Sequence, residues 1–154
     1  RYDKFCVIGD YDQESEIEFE RQVYMRAGVA FEKKWGSFKV VRDPGREQVL
    51  AATTNLQTPY VFVHDDNRFP IDASKLPSSF PVFRPSPALT QNIFDYCTLI
   101  ENATEVHVIE SSFLFLVDNL PDRNPNQKLV SHRYARANPP YALPVLRKNW
   151  EILT

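Results

Sequence analysis

The sequence predicts an α/β protein in which a parallel sheet is covered by helices on both faces, as in Rossmann-like folds. Short apolar strands alternate with helical stretches from residue 60 onwards, and this alternation is typical of β-α-β units. The length of 154 residues suits a single domain, with residues 1–57 as an N-terminal helical segment that packs on it. With 43% hydrophobic and 25% charged residues, the composition is that of a soluble globular protein.

The first third of the chain contains one predicted strand and two predicted helices. Residues 5–8 form a short apolar run that fits a strand. Residues 14–35 carry apolar side chains on one helical face, although Gly28 lies inside this pattern. A second helix is expected over residues 43–55, because Pro44 suits the first helical turn.

The rest of the chain alternates between strands and helices. The predicted strands are Tyr60–Val63, Pro81–Arg84, Val106–Ile109 and Leu129–His132. The predicted helices are Ser86–Ile100, opened by a serine cap and a proline, then Phe113–Leu120 and Leu143–Leu153. Helices between successive strands require crossover connections, so we expect the strands to lie parallel with their carboxyl ends on one edge of the sheet.

Polar side chains follow each predicted strand. The strand ends are His64-Asp65-Asp66, Arg84, Glu110-Ser111-Ser112 and His132-Arg133. Ligands of open α/β sheets dock at the carboxyl ends of the strands. Two serines at a helix start would offer hydroxyls and unpaired backbone N–H groups, which suit an anion such as phosphate. Arginines and histidines at the same edge would favour a phosphorylated ligand.

Each of these groups also has a structural explanation. The serines would cap a buried helix, and residues 65–67 have the composition of a turn. Arg84 would be a surface charge at a strand end. His107 alternates within a strand, which fits a histidine with satisfied hydrogen bonds better than a catalyst. The convergence of the polar groups on one predicted edge favours a functional site.

Several classes of protein are disfavoured. A net charge of −2 gives no electrostatic footprint for nucleic acid, and no apolar run approaches the roughly 20 residues of a membrane span. Neither G-x-G-x-x-G nor the P-loop motif occurs, so a dinucleotide or P-loop enzyme is not expected. Two cysteines, Cys6 and Cys97, make no disulfide framework or metal site, so we expect a cytoplasmic protein. The start at Arg1 suggests a domain of a longer protein or a processed chain.

The run Ala103–Phe113 resembles the serine-serine-phenylalanine motif region of fucosyltransferase-like enzymes with the GT-B architecture. In that family a strand leads into a serine-capped helix that contacts the nucleotide diphosphate of the sugar donor. The resemblance covers about residues 58–153. It implies the donor-binding half of a glycosyltransferase, because the chain is too short for both halves. A second α/β domain or acceptor-binding domain would then lie outside this chain.

The resemblance also implies roles for residues at the sheet edge. The implied nucleotide-binding residues are Asp65, Asp66, Arg68, Glu110, Ser111, Ser112, Phe113 and His132, and the implied catalytic residues are Arg84 and His64. The serines and the Phe113 amide would hold the diphosphate, and Arg84 or Arg68 would neutralise the charge on the leaving nucleotide. One of the two aspartates would accept hydrogen bonds from the ribose or base. No metal or other cofactor is required.

Two other functions stay open from the sequence. A non-catalytic interaction domain would use the 13% aromatic residues and the proline-rich segments 77–87 and 138–144 as docking surface. A metal-dependent phosphohydrolase would use His64, Asp65 and Asp66, since a His-Asp pair binds metal in such enzymes. Stabilisation by nucleoside diphosphates, by divalent metals or by neither distinguishes the three functions.

Overall fold

The computed structural model describes residues 12, 15, 17–136 and 144–154. The chain divides into two compact units. Unit 1 comprises Arg1–Lys39 and Asn138–Arg147, and unit 2 comprises Val40–Ala137 and Lys148–Thr154. The strand predicted at residues 5–8 lies outside the described residues.

The described chain contains helices, strands and short 3-10 turns. The helices are α1 (Phe19–Ala27), α2 (Lys33–Ser37), α3 (Pro44–Thr54), α4 (Cys97–Asn102) and α5 (Ser112–Asn119). The strands are β1 (Val61–His64), β2 (Val82–Phe83), β3 (Glu105–Val108), β4 (Lys128–His132) and β5 (Glu151–Leu153). The 3-10 turns are Ala73–Lys75, Ile93–Tyr96 and Arg133–Ala135. Among the described residues, no helix is long and apolar enough to cross a membrane.

Unit 1 contains α1 and α2, which replace the single helix predicted over residues 14–35. The break follows α1 at Gly28, whose φ of 66° lies in the left-handed region that favours glycine. Phe31, in the link between the helices, packs edge-on against Tyr24 and Trp35. Three residues of the predicted apolar face, Tyr24, Phe31 and Trp35, therefore pack together. Two others, Ile17 and Ala27, are exposed, so the predicted face is retained only in part.

Unit 2 is built on a five-stranded sheet with the order β2-β1-β3-β4-β5. All neighbouring strands are parallel, so the predicted α/β class and the common carboxyl edge are confirmed. The chain runs outward from β1 to β2 and then returns across β1 to form β3 on its other side. The strand order therefore reverses between β1 and β3, and ligands of sheets with this order bind at that switch point.

The two faces of the sheet are covered by different parts of unit 2. On one face, Phe62 packs against Phe83, Tyr96 and Phe113, so α5 and the turn before α4 lie there. On the other face, Ile71 of the β1–β2 crossover is buried in a cluster with Val61, Val63 and Ile109. Partly buried residues of the same crossover pack against this cluster: Phe69, Leu76 and Phe80. Because parallel crossovers are right-handed, connections that run in opposite directions along the sheet cover opposite faces.

Helix α3 occupies the predicted position and is joined to α4 by buried ion pairs. Asp43 caps it by accepting a hydrogen bond from Arg46 N. Arg42 donates to Glu47 Oε1 at 2.7 Å and to Glu101 Oε1 at 2.6 Å. Burial raises the pKa of Glu47, but hydrogen bonds from Arg42 and Thr98 outweigh this effect and lower that pKa overall. The ionised carboxylate thus helps to hold α3 against α4.

The helix predicted from Ser86 does not begin there. Ser86 and Pro87 form a turn in which the Ser86 carbonyl accepts from Leu89 N at 2.9 Å. The Tyr96 hydroxyl donates to the same carbonyl and accepts from Ser86 N. Asn92 then caps a new start by accepting from Phe94 N, and α4 follows from Cys97. The capping signal at Ser86 was therefore correct only as a turn signal.

The prediction of a terminal helix over Leu143–Leu153 is wrong for its described part. Residues 144–150 are non-helical, and β5 pairs with β4 at the end of the sheet. Asp118 of α5 fixes this segment, because its Oδ1 accepts hydrogen bonds from Lys148 N and Trp150 Nε1, both at 3.0 Å. Short apolar runs do not distinguish helix from strand, and here tertiary contacts decide.

Candidate functional site

His64 and Ser111 meet at the switch point between β1 and β3. His64 is the last residue of β1, and Ser111 follows β3 just before α5. The Ser111 Oγ lies 3.1 Å from His64 Nδ1 and accepts a hydrogen bond from Phe113 N at 3.3 Å. Because the oxygen accepts from the amide, its own proton is available to the Nδ1 of a neutral imidazole.

Aromatic packing holds the His64 ring in place. The ring stacks on Phe113 with 4.2 Å between centroids and 28° between planes. Burial lowers the pKa of His64, which keeps the imidazole neutral near pH 7. In the tautomer whose Nδ1 accepts from the Ser111 hydroxyl, the neutral ring carries its proton on Nε2. That N–H is then a hydrogen-bond donor at the carboxyl edge.

The two serines of the corner have different surroundings. Ser111 is the N-cap of α5 and is half-buried. Ser112 is the first helical residue, is exposed, and its hydroxyl makes no hydrogen bond to other described residues. Helix starts leave their first backbone N–H groups without intrahelical partners. The corner thus combines a structural serine with an unengaged hydroxyl at the positive end of a helix.

Asp65 joins the ends of β1 and β2. Its Oδ1 accepts a hydrogen bond from Arg84 Nε at 3.1 Å, and its Oδ2 accepts from Ile71 N at 3.0 Å. The carboxylate is 14% exposed, whereas the Arg84 side chain is 47% exposed. Both Asp65 oxygens therefore have protein partners, which differs from the ribose or base contact predicted for an aspartate.

Asp66 and Arg68 form a local turn. Asp66 Oδ1 accepts hydrogen bonds from Arg68 N at 2.8 Å and from Phe69 N at 3.1 Å. Its Oδ2 pairs with Arg68 Nη2 at 3.2 Å, and these bonds from Arg68 lower the pKa of Asp66. The turn explanation given by the sequence describes this pair well. Within the described part of the chain, neither Asp66 nor Arg68 makes a hydrogen bond to His64 or Ser111 at the corner between β1 and β3.

Glu110 lies at the end of β3 and pairs with the arginine that follows β4. Its Oε1 accepts a hydrogen bond from Arg133 Nη1 at 2.9 Å, and the residue is only 6% exposed. Its Oε2 is buried and accepts no hydrogen bond from the described residues. The sequence predicted that Arg133 lies at this edge but did not indicate that it pairs with Glu110, because contacts between strand ends depend on the strand order.

His132 is not at the surface but in a buried hydrogen-bonded array. His107 Nδ1 lies 2.8 Å from His132 Nε2, and His132 Nδ1 lies 3.1 Å from the Tyr134 hydroxyl. Glu105 is 3.0 Å from His107 Nε2, and the Tyr134 hydroxyl accepts from Asp72 N. Since a carboxylate only accepts, His107 carries its proton on Nε2 and His132 donates from Nε2 to His107. Both rings are then neutral and fully bonded.

The array contains residues that sequence reasoning did not assign to a network. His107 and His132 lie on neighbouring parallel strands, where residues two positions apart in register share a face. Tyr134 follows His132 in the next turn. The spacing of the histidines within their strands was visible, but their contact required the β3–β4 pairing.

A separate depression of about 520 Å³ lies between the start of α3 and the loop that follows β2. Its lining includes Val49, Leu50 and Leu89 together with the ion pair between Arg46 and Asp95. None of the predicted site residues lines it. It is mainly apolar and is therefore distinct from the polar corner at the switch point.

The described residues contain no group of three or more His, Cys, Asp or Glu side chains arranged to hold a metal ion. His64, Asp65 and Asp66 point to separate partners, so this part of the chain gives the phosphohydrolase alternative no support. Comparisons with protein-family models, with curated protein sequences and with solved structures find no match to this chain. The fold and the site define a parallel α/β domain with a polar corner at its switch point.

Proposed function

We propose that unit 2 binds the nucleoside diphosphate of a sugar donor and serves as the donor-binding half of a glycosyltransferase. The observation that carries this proposal is the contact between His64 and Ser111 at the switch point between β1 and β3. Two strand ends there hold hydrogen-bonding groups beside the N-terminus of α5, the place where open α/β sheets bind phosphorylated ligands.

The diphosphate would bind at the start of α5. The Ser112 hydroxyl and the Ser112 backbone N–H would donate hydrogen bonds to its oxygens. The Phe113 N–H, which the resemblance implied as a further donor, already bonds to Ser111 Oγ. Neutral His64 would add the Nε2 proton as a donor, since its Nδ1 faces Ser111. Arg84 would stabilise the negative charge that develops on the leaving nucleotide. These groups act by hydrogen bonding and charge alone.

The two aspartates that follow β1 are not available to hold the nucleoside. Asp65 and Asp66 already bind protein groups through both of their oxygens. Glu110 Oε2 accepts no hydrogen bond from the described chain, but this atom is buried and is therefore out of reach of a ribose hydroxyl or a base amine. A second domain would bind the acceptor and supply the catalytic base. Donor binding is therefore the property that can be measured on this chain.

Isothermal titration with GDP, UDP, CDP and ADP, in the presence and absence of divalent cations, tests the proposal. We expect one nucleoside diphosphate to bind without metal. Ser112→Ala should then weaken that binding about tenfold or more, because a charge-assisted hydrogen bond is lost. Ser111→Ala should lower the free energy of unfolding by about 0.5–2 kcal/mol, because Ser111 caps α5.

Ser79→Ala is the matched control, since Ser79 is exposed and precedes β2 at the opposite edge of the sheet. It should bind like the wild type. No response to any nucleoside diphosphate would favour the interaction-domain alternative. Binding that Ser112→Ala leaves unchanged would place the ligand away from this corner. Stabilisation only in the presence of metal would favour the phosphohydrolase.

A further inference from the structure

Arg84 is held at one nitrogen and leaves the other two available. Its Nε donates to Asp65 at 3.1 Å, and its Nη1 and Nη2 make no hydrogen bond within the described part of the chain. The guanidinium group is planar and presents its N–H donors as a fork that matches phosphate oxygens. Nearly half of the side chain is exposed, so this fork is open to a ligand.

Asp65 is tethered to the core and can therefore orient Arg84. Its second oxygen accepts from the backbone N–H of Ile71, which is 5% exposed and packs with Val61, Val63 and Ile109. An ordinary exposed ion pair has two flexible partners and contributes little. In this pair one partner is mostly buried and is fixed at both oxygens. The direction of the Arg84 side chain is thus set by the β1–β2 crossover.

The contrast with Arg68 makes the arrangement specific. Arg68 is 79% exposed and uses a terminal nitrogen, Nη2, to bind Asp66 within its own turn. It therefore cannot offer both terminal nitrogens to a ligand while that pair is formed. Of the two arginines that the sequence proposed for charge neutralisation, only Arg84 has both terminal nitrogens, Nη1 and Nη2, available for a ligand.

We infer that Asp65 is a positioning residue, which holds Arg84 by Nε so that Nη1 and Nη2 bind a phosphate group at the carboxyl edge of the sheet. The ends of β2 and β3 lie on the same edge of the sheet, two strand spacings or about 10 Å apart. The identity of this phosphate as part of a nucleoside diphosphate rests on the proposed function. The contact between Asp65 and Arg84 is independent of the proposed function.

Titration calorimetry with inorganic pyrophosphate as the probe tests this inference on the full chain. Arg84→Ala and Asp65→Asn should each weaken pyrophosphate binding about tenfold. If Asp65 acts through Arg84, the double variant should bind no more weakly than Arg84→Ala alone, because the effects of coupled residues do not add. Arg68→Ala and Asp66→Asn are the matched controls and should bind within about twofold of the wild type.

Arg84→Lys tests the same geometry without altering Asp65. Lysine would place its single ammonium group on Asp65 and could not present a fork, so it should lose as much affinity as Arg84→Ala. Retained affinity in Arg84→Lys or Asp65→Asn would overturn the inference, as would additive losses in the double variant or a wild type that does not bind pyrophosphate.

The proposed function fails separately from this inference. Pyrophosphate binding that depends on Arg84 and Asp65, but gains nothing from an attached nucleoside, would support the positioning role and contradict the glycosyltransferase proposal. Nucleoside diphosphate binding that depends on Ser112 but not on Arg84 or Asp65 would support the glycosyltransferase proposal and contradict the positioning role of Asp65. The same set of variants therefore decides both questions.

Discussion

Acidification should destabilise the sheet through His132, which is buried between neighbouring strands. Burial and the adjacent His107 lower the pKa of His132 from its ordinary value of 6.5 to about 4. An unfolded chain would bind a proton at this histidine near pH 6.5. Between these two values the unfolded state binds more protons than the folded state, so the free energy of unfolding falls as the pH falls. Above pH 6.5 this contribution is constant.

The size of the effect follows from the difference between the two pKa values. One pKa unit corresponds to about 1.4 kcal/mol, so a difference of roughly 2.5 units predicts a loss of about 3 kcal/mol between pH 7 and pH 4. Domains have unfolding free energies of about 5–15 kcal/mol, so this loss would be readily measurable. The pKa values of His107 and His64 are also lowered, mainly by burial, and they act in the same direction.

Urea denaturation at pH 7, 6, 5 and 4 measures the effect in unit 2, with tryptophan fluorescence recorded in a Trp35→Phe background so that only Trp150 reports. His132→Gln is the comparison, since glutamine offers a donor and an acceptor but does not titrate. The wild type should lose about 3 kcal/mol more than this variant over the range. Equal pH dependence in the two proteins would refute the reasoning. So would an NMR titration in which His132 of the folded protein protonates near pH 6.5.

Three further substitutions test the packing, each by urea denaturation. Arg42→Ala should lower the free energy of unfolding by about 3–5 kcal/mol, because buried Glu47 would lose its charged partner. Tyr60→Phe should cost about 1–3 kcal/mol, since the Leu99 carbonyl loses the donor that lies 2.5 Å away. Gly28→Ala should cost about 1–2 kcal/mol through its positive φ, with no steric clash. Changes below about 0.5 kcal/mol, the range of ordinary surface substitutions, would contradict these expectations.

The central strands could be predicted from the sequence because parallel strands buried on both faces are continuous apolar runs. Residues 60–63 have this pattern, and residues 106–109 have it except at His107; the corresponding strands are β1 and β3. The β5 strand could not be predicted in this way. Its pairing partner β4 lies next to it only after folding, and the hydrogen bonds to Asp118 that fix its approach join residues 30 and 32 positions apart.

The location of the candidate site could also be predicted, but its internal contacts could not. Parallel strands bring their carboxyl ends to one edge, so the convergence of His64, Arg84 and Ser111 follows from the fold class. The sequence does not distinguish Asp65 from Asp66, because adjacent aspartates have equal charge. The structure separates them: Asp65 faces Arg84 and the core, whereas Asp66 closes a turn. Side-chain direction, which alternates along an extended chain, accounts for the difference.

The β1–β2 crossover fixes Asp65 at this edge of the sheet, while Arg84 is bound only through Nε. In doubly wound sheets this connection usually carries a helix, but residues 65–81 form turns with a single 3-10 turn. Asp66 and Asp72 make these turns by accepting backbone hydrogen bonds, while Ile71 anchors the loop in the core. A helix would use its backbone N–H groups internally. The loop instead leaves the N–H of Ile71 to bind Asp65, and so the packing of the core determines where Arg84 presents its charge.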